Sequence, residues 1–523
     1  MGNYLNIGNA GFQSVRKGLY VDKTGMISFI NHTLGTMDKL TCVSRPRRFG
    51  KSFAAKMLCA YYDKSCDSRA LFEGLEISKD SSFEKYLNKY DVIYLDITLF
   101  IAGASDIRNV VSDLQLKVMN ELQMAYSELK KESTLYETLS SITDATGNKF
   151  IIIIDEWDAL FREAKNDTEL QKEYIQLLRS LFKSSLTDKM IEAAYITGIL
   201  PIKKYGTQSA LTDFREYTML QPKRLAEYVG FTEEEVAGLC KRYEMDFDEM
   251  KRWYDGYSFS RKKSIYSPNS VIEAVKSEEF GNYWTETETY ESLKLYIEMD
   301  MDGLKETIIR MLGGEKCGID IGTFQNDMTS IKNRDDVLTL LVHLGYLAYD
   351  SAEKTVFIPN EEVRREFIRA VRASKYMEIV ELIRDSENLL QDTLNMEEGK
   401  VAAAIEKIHR TVTAPLYYNN EQALRSVIRF AYISCIGEYM EIQELPSGHG
   451  YADIVYLPKQ GSNRATLIIE LKWNKEADGA IQQIKDKHYP EILQNCGNEL
   501  IMVGISYNEN TKIHNCKIEK YHL

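Results

Sequence analysis

Leu40-Thr41-Cys42-Val43-Ser44-Arg45-Pro46-Arg47-Arg48-Phe49-Gly50-Lys51-Ser52 is the stretch on which the fold turns. An apolar run leads into a basic loop ending in Gly-Lys-Ser, and the next residues, 53–61, carry helix-like spacing. Strand, tight loop, helix is the context that a phosphate-binding loop requires. Gly50 lets the backbone approach phosphates, Lys51 can reach the β- and γ-phosphates of ATP, and Ser52 can ligate Mg²⁺. Phe49 is counted with them as a loop residue. Arg47 and Arg48 have three open roles: touching the nucleotide, acting across a subunit boundary of a homo-oligomer, or pairing with nearby acids. Arg45 stands where the first glycine of G-x-x-x-x-G-K-[ST] belongs, so a basic turn before a helix is the alternative.

Working outward, Phe150-Ile151-Ile152-Ile153-Ile154-Asp155-Glu156-Trp157-Asp158 reads as a buried strand ending in acids. Asp155 at its C-terminal end is placed to hold the Mg²⁺ shell, and Glu156 to orient or deprotonate an attacking water. A strand stopping at a solvated acidic turn is the plainer alternative. Thr197, in Tyr195-Ile196-Thr197-Gly198, offers a sensor hydroxyl for the γ-phosphate or merely a turn. Apolar runs at 40–43, 92–97, 150–154, 191–197 and 217–220 alternate with helical periodicity at 104–129 and 170–182. That alternation predicts an α/β domain with a largely parallel sheet.

The chain has 523 residues, 44% of them hydrophobic and 27% charged. This length exceeds what one core serves, so about three domains are expected. Residues 221–375 read as mainly helical, with a capping box from Thr232 and Glu235 and a strand pair near 345–349 and 355–358, as in a winged-helix unit. A helical connector follows at 376–412. Residues 413–523 return to mixed order, which sets the expected divisions at 1–220, 221–375, 376–412 and 413–523. The net charge of −13 argues against adhesion to nucleic acid over the whole surface and leaves room for a local basic groove. No apolar run approaches the roughly 20 residues of a membrane span, and residues 1–6 lack a secretory pattern. The eight cysteines form no C-x-x-C pair. A cytoplasmic protein with reduced thiols and no membrane partner is expected.

Near the end of the chain, Asp453 in Gly450-Tyr451-Ala452-Asp453-Ile454-Val455 supplies an acid on a strand. Ile468-Ile469-Glu470-Leu471-Lys472 supplies E-x-K on the next. Period-two alternation puts Glu470 and Lys472 on one face and Leu471 on the other. In an antiparallel hairpin Asp453 and Glu470 can share Mg²⁺, which acidifies a bound water, while Lys472 stabilises hydroxide or phosphorane charge. Alternating charge on a solvated edge is the alternative. Glu421, opening the preceding helix, is a further candidate for the metal shell.

Taken in order, Tyr20-Val21-Asp22-Lys23-Thr24, the loop 44–52, Ile154 to Asp158, Trp253-Tyr254-Asp255-Gly256-Tyr257 and Pro359-Asn360-Glu361-Glu362-Val363-Arg364 resemble the bacterial AAA-ATPase-like family. Its members usually carry a C-terminal PD-(D/E)XK nuclease-like domain. The resemblance covers nearly the whole chain and implies a P-loop NTPase sheet of ASCE type, ordered 5-1-4-3-2, whose loop lacks the first glycine in this family too. It also implies an αβββαβ core at the C-terminus, in which Gln483 and Tyr489 resemble a trailing glutamine and tyrosine that face the site or substrate. For the 20–24 motif it implies importance without chemistry, and Asp22 capping a helix is the simple reading.

Two functions follow. In one, ATP hydrolysis at Lys51, Ser52, Asp155 and Glu156 gates a Mg²⁺-dependent nuclease at Asp453, Glu470 and Lys472, acting on nucleic acid, with DNA placed ahead of RNA. In the other, bound nucleotide operates a switch, and the C-terminal fold is a binding module only.

Overall fold

Five strands, β1 (Leu40–Ser44), β2 (Asp91–Asp96), β3 (Phe150–Asp155), β4 (Ile191–Gly198) and β5 (Arg215–Tyr217), hydrogen-bond in the order 5-1-4-3-2. All four pairings are parallel. Every residue of β1 and β3 is buried, as expected for strands covered on both faces. Register sets Val43 beside Thr197 and Ile154 beside Ile196, so the C-terminal ends of β1, β3 and β4 gather at one edge. Helix α1 (Lys51–Tyr62) starts there because Gly50, at φ 91°, adopts the left-handed turn that a Cβ would strain.

The computed structural model describes all residues except 1, 203, 206–207, 210, 260–261, 285–289, 300, 302, 326–330, 375–376, 413–420, 438, 448–449, 459–463, 488–492, 494–498 and 522–523. The chain forms two compact units, Met1–Thr287 with Gly318–Asn360, and Glu288–Cys317 with Glu361–Leu523. The parallel sheet lies in the first.

In that unit the helical stretch read at 104–129 is shorter, Val110–Ala125, because a 3-10 turn capped by Asp106 precedes it. The capping box is present: Thr232 Oγ1 accepts from the Glu235 amide at 3.3 Å, and Glu235 Oε2 accepts from the Thr232 amide at 2.7 Å. A small antiparallel sheet joins Phe231–Thr232, Lys262–Tyr266 and Tyr257–Phe259, in a stretch expected to be mainly helical. Its short strands are too brief to display alternation. Helix α2 (Arg334–Leu344) precedes the expected hairpin, observed at Ala348–Asp350 and Thr355–Phe357. Gly345 caps α2 in the left-handed region rather than starting a strand.

In the second unit, helices Met377–Leu394 and α3 (Glu398–Val412) precede α4 (Glu421–Ala431). Strands β6 (Tyr439–Ser447), β7 (Gly450–Pro458), β8 (Thr466–Trp473), β9 (Leu500–Asn508) and β10 (Ile513–Tyr521) pair in sequence order, with α5 (Ala477–Asp486) between β8 and β9. Only β8 and β9 run parallel, the pairing that a helical crossover permits. The expected αβββαβ plan is therefore extended by one strand, β10. Glu398 on α3 holds that strand by accepting the Ile518 amide at 3.0 Å.

Candidate functional sites

At the edge where β1, β3 and β4 end, Lys51 is 3% exposed. Its ammonium donates to the Pro46 carbonyl at 2.9 Å and lies 3.3 Å from Glu156 Oε1. Asp155 is 3% exposed, and its Oδ2 accepts from the Tyr94 hydroxyl at 3.3 Å. Asp155 Oδ1 is buried without a hydrogen bond. Burial pushes this carboxyl up to about 6 against the opposing pull of Ser52 and Lys51. Burial also raises Glu156, but Lys51 and Arg162 outweigh it and hold Glu156 below the usual carboxylate range. An oxygen-lined position beside Ser52 and a naked carboxylate oxygen suits Mg²⁺, which takes one or two carboxylates and completes its shell with water and phosphate. No Cβ contact lies within 4 Å at Gly50, so the loop has room for a phosphate there.

The loop arginines divide. Arg45 is fully buried and donates to the carbonyls of Ser44 at 2.8 Å and Tyr217 at 3.0 Å, bracing β1 to β5. The residue in the place of the missing glycine is thus a strut. Arg47 and Arg48 are exposed, and Arg47 also lowers Glu156 electrostatically. Phe49 turns inward, its ring edge-on to Tyr257 at 5.3 Å. Thr197 is buried at the end of β4 with no hydrogen bond to its hydroxyl.

Behind the loop, three distant motifs meet. The Tyr257 hydroxyl donates to the Gly345 carbonyl at 2.6 Å. A Cβ on Gly345 would lie 2.6 Å from Pro46 of the loop, and one on Gly256 would lie 2.0 Å from the Pro359 carbonyl oxygen. Asn360 donates to the Asp255 carbonyl at 2.8 Å. Lys23 is bound by both carboxylate oxygens of Glu235, at 2.6 and 2.7 Å, and so clamps the capping box. Asp22 accepts the Thr24 amide at 2.9 Å ahead of helix Gly25–Asn31, a turn rather than a formal cap. A separate cavity of about 690 Å³, lined by Phe29, His32, Tyr217, Arg224 and Tyr228 among others, touches none of the loop residues.

In the second unit, Ile454 pairs with Ile469, and one further step of that register sets Asp453 opposite Glu470. Asp453 Oδ1 accepts from Arg425 at 2.5 Å and Oδ2 from the Leu471 amide at 2.9 Å. Glu470 is 2% exposed. Its Oε1 accepts from Lys472 at 3.1 Å and from Gln483, whose Oε1 in turn accepts from Lys472 at 2.6 Å. Glu470 Oε2 is buried without a hydrogen bond. Burial, with Asp453 adding to it, pushes the Glu470 carboxyl up to about 7. Two adjacent carboxylates with an orphan oxygen fit a divalent cation. Among the described residues no group of three potential ligands gathers, so water and substrate would complete any shell. Glu421 opens α4, and Tyr489 lies outside the described residues.

Sequence reasoning missed Arg162, Asp158 and Arg425. Arg162 contacts Glu156 at 2.5 Å and Asp158 at 3.3 Å, and Asp158 accepts the amides of Ile199 and Leu200 just past Thr197. Arg162 was signalled faintly, standing four residues after Asp158, whereas the partner of Arg425 lies 28 residues on, outside any local pattern.

Among the described residues no helix is long and apolar enough to cross a membrane. Residues 6–207 match the family described as "Predicted AAA-ATPase", and residues 419–517 match the PD-(D/E)XK nuclease superfamily. An uncharacterized protein in the vnfD 5′ region of Azotobacter chroococcum mcd 1 is 21% identical over 532 positions, covering 97% of each chain. The Aeropyrum pernix ORC2 protein in its ADPNP-ADP complexes overlaps 69% of this chain and 98% of its own, at 13% identity and a TM-score of 0.32. Caenorhabditis elegans PCH-2 overlaps 69% and 72%, at 13% and 0.24. Residues 6–207 are therefore an AAA-ATPase-like domain that carries four of the five strands of the 5-1-4-3-2 sheet, β5 lying just beyond the matched stretch, and residues 419–517 a PD-(D/E)XK nuclease-superfamily domain in the same chain.

Proposed function

We propose that this chain binds and hydrolyses ATP with Mg²⁺ and uses the cycle to control phosphodiester cleavage of nucleic acid, DNA before RNA, at its C-terminal domain. The observation that carries it is a repeated one: a buried carboxylate oxygen without a hydrogen bond, Asp155 Oδ1 in one unit and Glu470 Oε2 in the other, each in a cluster with a lysine. In the first site, Gly50 and Lys51 would bind the β- and γ-phosphates, with Ser52 and Asp155 holding Mg²⁺. Phosphates compete with Glu156 for Lys51, which frees Glu156 to orient water, steered by Arg162. Thr197 would sense the γ-phosphate, and Arg47 and Arg48, at the surface, suit nucleotide contact or action across a homo-oligomer.

In the second site, Asp453 and Glu470 would hold Mg²⁺, which supplies an acidified water. Lys472, kept on the Glu470 face by Gln483, would stabilise the charge of the phosphorane, and Glu421 and Tyr489 stand as further candidates toward metal and substrate. We keep 1–220 and 413–523 as the two catalytic divisions, with 221–375 and 376–412 between them. The switch reading is favoured by the contacts of Phe49 and Pro46 with residues far along the chain, through which nucleotide could order the middle region.

Incubation of the full chain with Mg²⁺, ATP and mixed DNA and RNA tests the proposal. Cleavage lost in Asp453→Asn supports it. Intact substrates with normal ATP turnover leave only the switch.

A further inference from the structure

Each oxygen of Asp453 already has a donor, and the two donors differ in kind. The Leu471 amide belongs to β8 and cannot withdraw without breaking the strand. The Arg425 guanidinium sits on the long stem of a residue within α4, and the stem can swing while the helix stays intact. Its pair with Asp453 is only partly shielded, the side chains being 25% and 9% exposed. Lys472 is committed elsewhere, to Glu470 and Gln483.

We propose that Arg425 guards the metal site: its guanidinium competes with a divalent cation for Asp453 Oδ1 and, once displaced, binds a phosphate oxygen of the nucleic acid. This rests on the reading of Asp453 and Glu470 as metal ligands. A cation held by Glu470 and Asp453 would sit on the carboxylate that already pairs with Arg425, and two cations at one carboxylate repel. The released fork has phosphate as its natural acceptor, bound bidentately beside the metal. Metal and nucleic acid then favour each other, by the same factor in either order of addition.

Mn²⁺ binding, read by electron paramagnetic resonance, tests this in the full chain carrying Asp155→Asn, which silences the other cation site. Expected are binding about tenfold tighter for Arg425→Gln than for its Arg425 parent, within the usual span of coupling between sites, an intermediate value for Arg425→Lys, and loss for Asp453→Asn. Adding phosphorothioate-protected duplex DNA, single-stranded DNA or RNA should tighten Mn²⁺ binding in the parent with at least one probe, and by a smaller factor in Arg425→Gln, where only the metal holds the phosphate; an equal factor in both overturns the phosphate role. Unchanged or weaker Mn²⁺ binding in Arg425→Gln, with loss in Asp453→Asn, overturns the guard and leaves the metal reading standing. Retained binding in Asp453→Asn overturns both. Failure of every probe to tighten the parent overturns the phosphate role. Should Arg425→Gln melt early, Arg425→Met carries the same expectations.

Discussion

The two carboxylate clusters share a lysine and an orphan oxygen, yet their acids are guarded differently. Asp155 ends a strand buried on both faces, and one of its oxygens is open, the cations near it being held by Glu156. Asp453 lies within a strand and has both oxygens engaged, one of them by an arginine. The lesson is that a strand-end acid can be left bare because neighbouring side chains take up the local cations, whereas a mid-strand acid is met by whatever packs on its face.

The sharpest way to break this comparison is to remove its two lysine clusters separately. Lys51→Ala should abolish tight ATP binding, while Glu156→Gln should keep binding and slow hydrolysis by about 10²–10⁴-fold, the usual worth of general base catalysis. Wild-type turnover in both would remove the first site. Glu470→Gln should weaken divalent-ion binding without touching ATP turnover. Because burial and the neighbouring Asp453 push the Glu470 carboxyl up to about 7, metal binding in the wild type should strengthen as pH rises through that value, when the carboxylate loses its proton. A flat isothermal-titration profile between pH 6 and 8 would contradict it.

The supports of the two sites also differ, and smaller effects probe them. Gly256, at φ 112°, faces the Pro359 carbonyl so closely that Gly256→Ala should cost about 3 kcal/mol, seen in denaturant melts. In the second unit, α3 meets β10 through His409 and His514, 3.2 Å apart. Burial, with Arg410 nearby, lowers His409 to about 4, and burial with His409 lowers His514 to about 3. Folded-state values below the ordinary 6.5 mean stability present above pH 6.5 and lost as pH falls from there toward 4 and 3. His409→Gln should flatten that loss in thermal melts, a smaller change than that of Gly256→Ala. Tyr257→Phe, which removes one hydroxyl donor, should cost least, about 1 kcal/mol.

The parallel sheet was legible because four successive isoleucines and a basic Gly-Lys-Ser loop are local signals. So was the shared face of Glu470 and Lys472, since alternation alone decides it, whereas the place of Asp453 opposite Glu470 depends on the register of the hairpin. The short strands at 231–232 and 257–259 were not, being too brief for any period, and β10 reads HNCKIEK, polar at most positions. Nor was the inward turn of Phe49. Its partner Tyr257 is set by tertiary packing across more than 200 residues, which no window of sequence contains.

The close approach of Gly345 to Pro46 bears on how this protein can be dissected. A fragment of the AAA-ATPase-like domain ending near residue 207 or 220 would lack Tyr257 and Gly345, baring the Phe49 ring to water. Such a fragment would be sticky and its phosphate loop poorly held, for reasons of missing scaffolding rather than missing loop residues. A fragment carried through residue 360 keeps that backing.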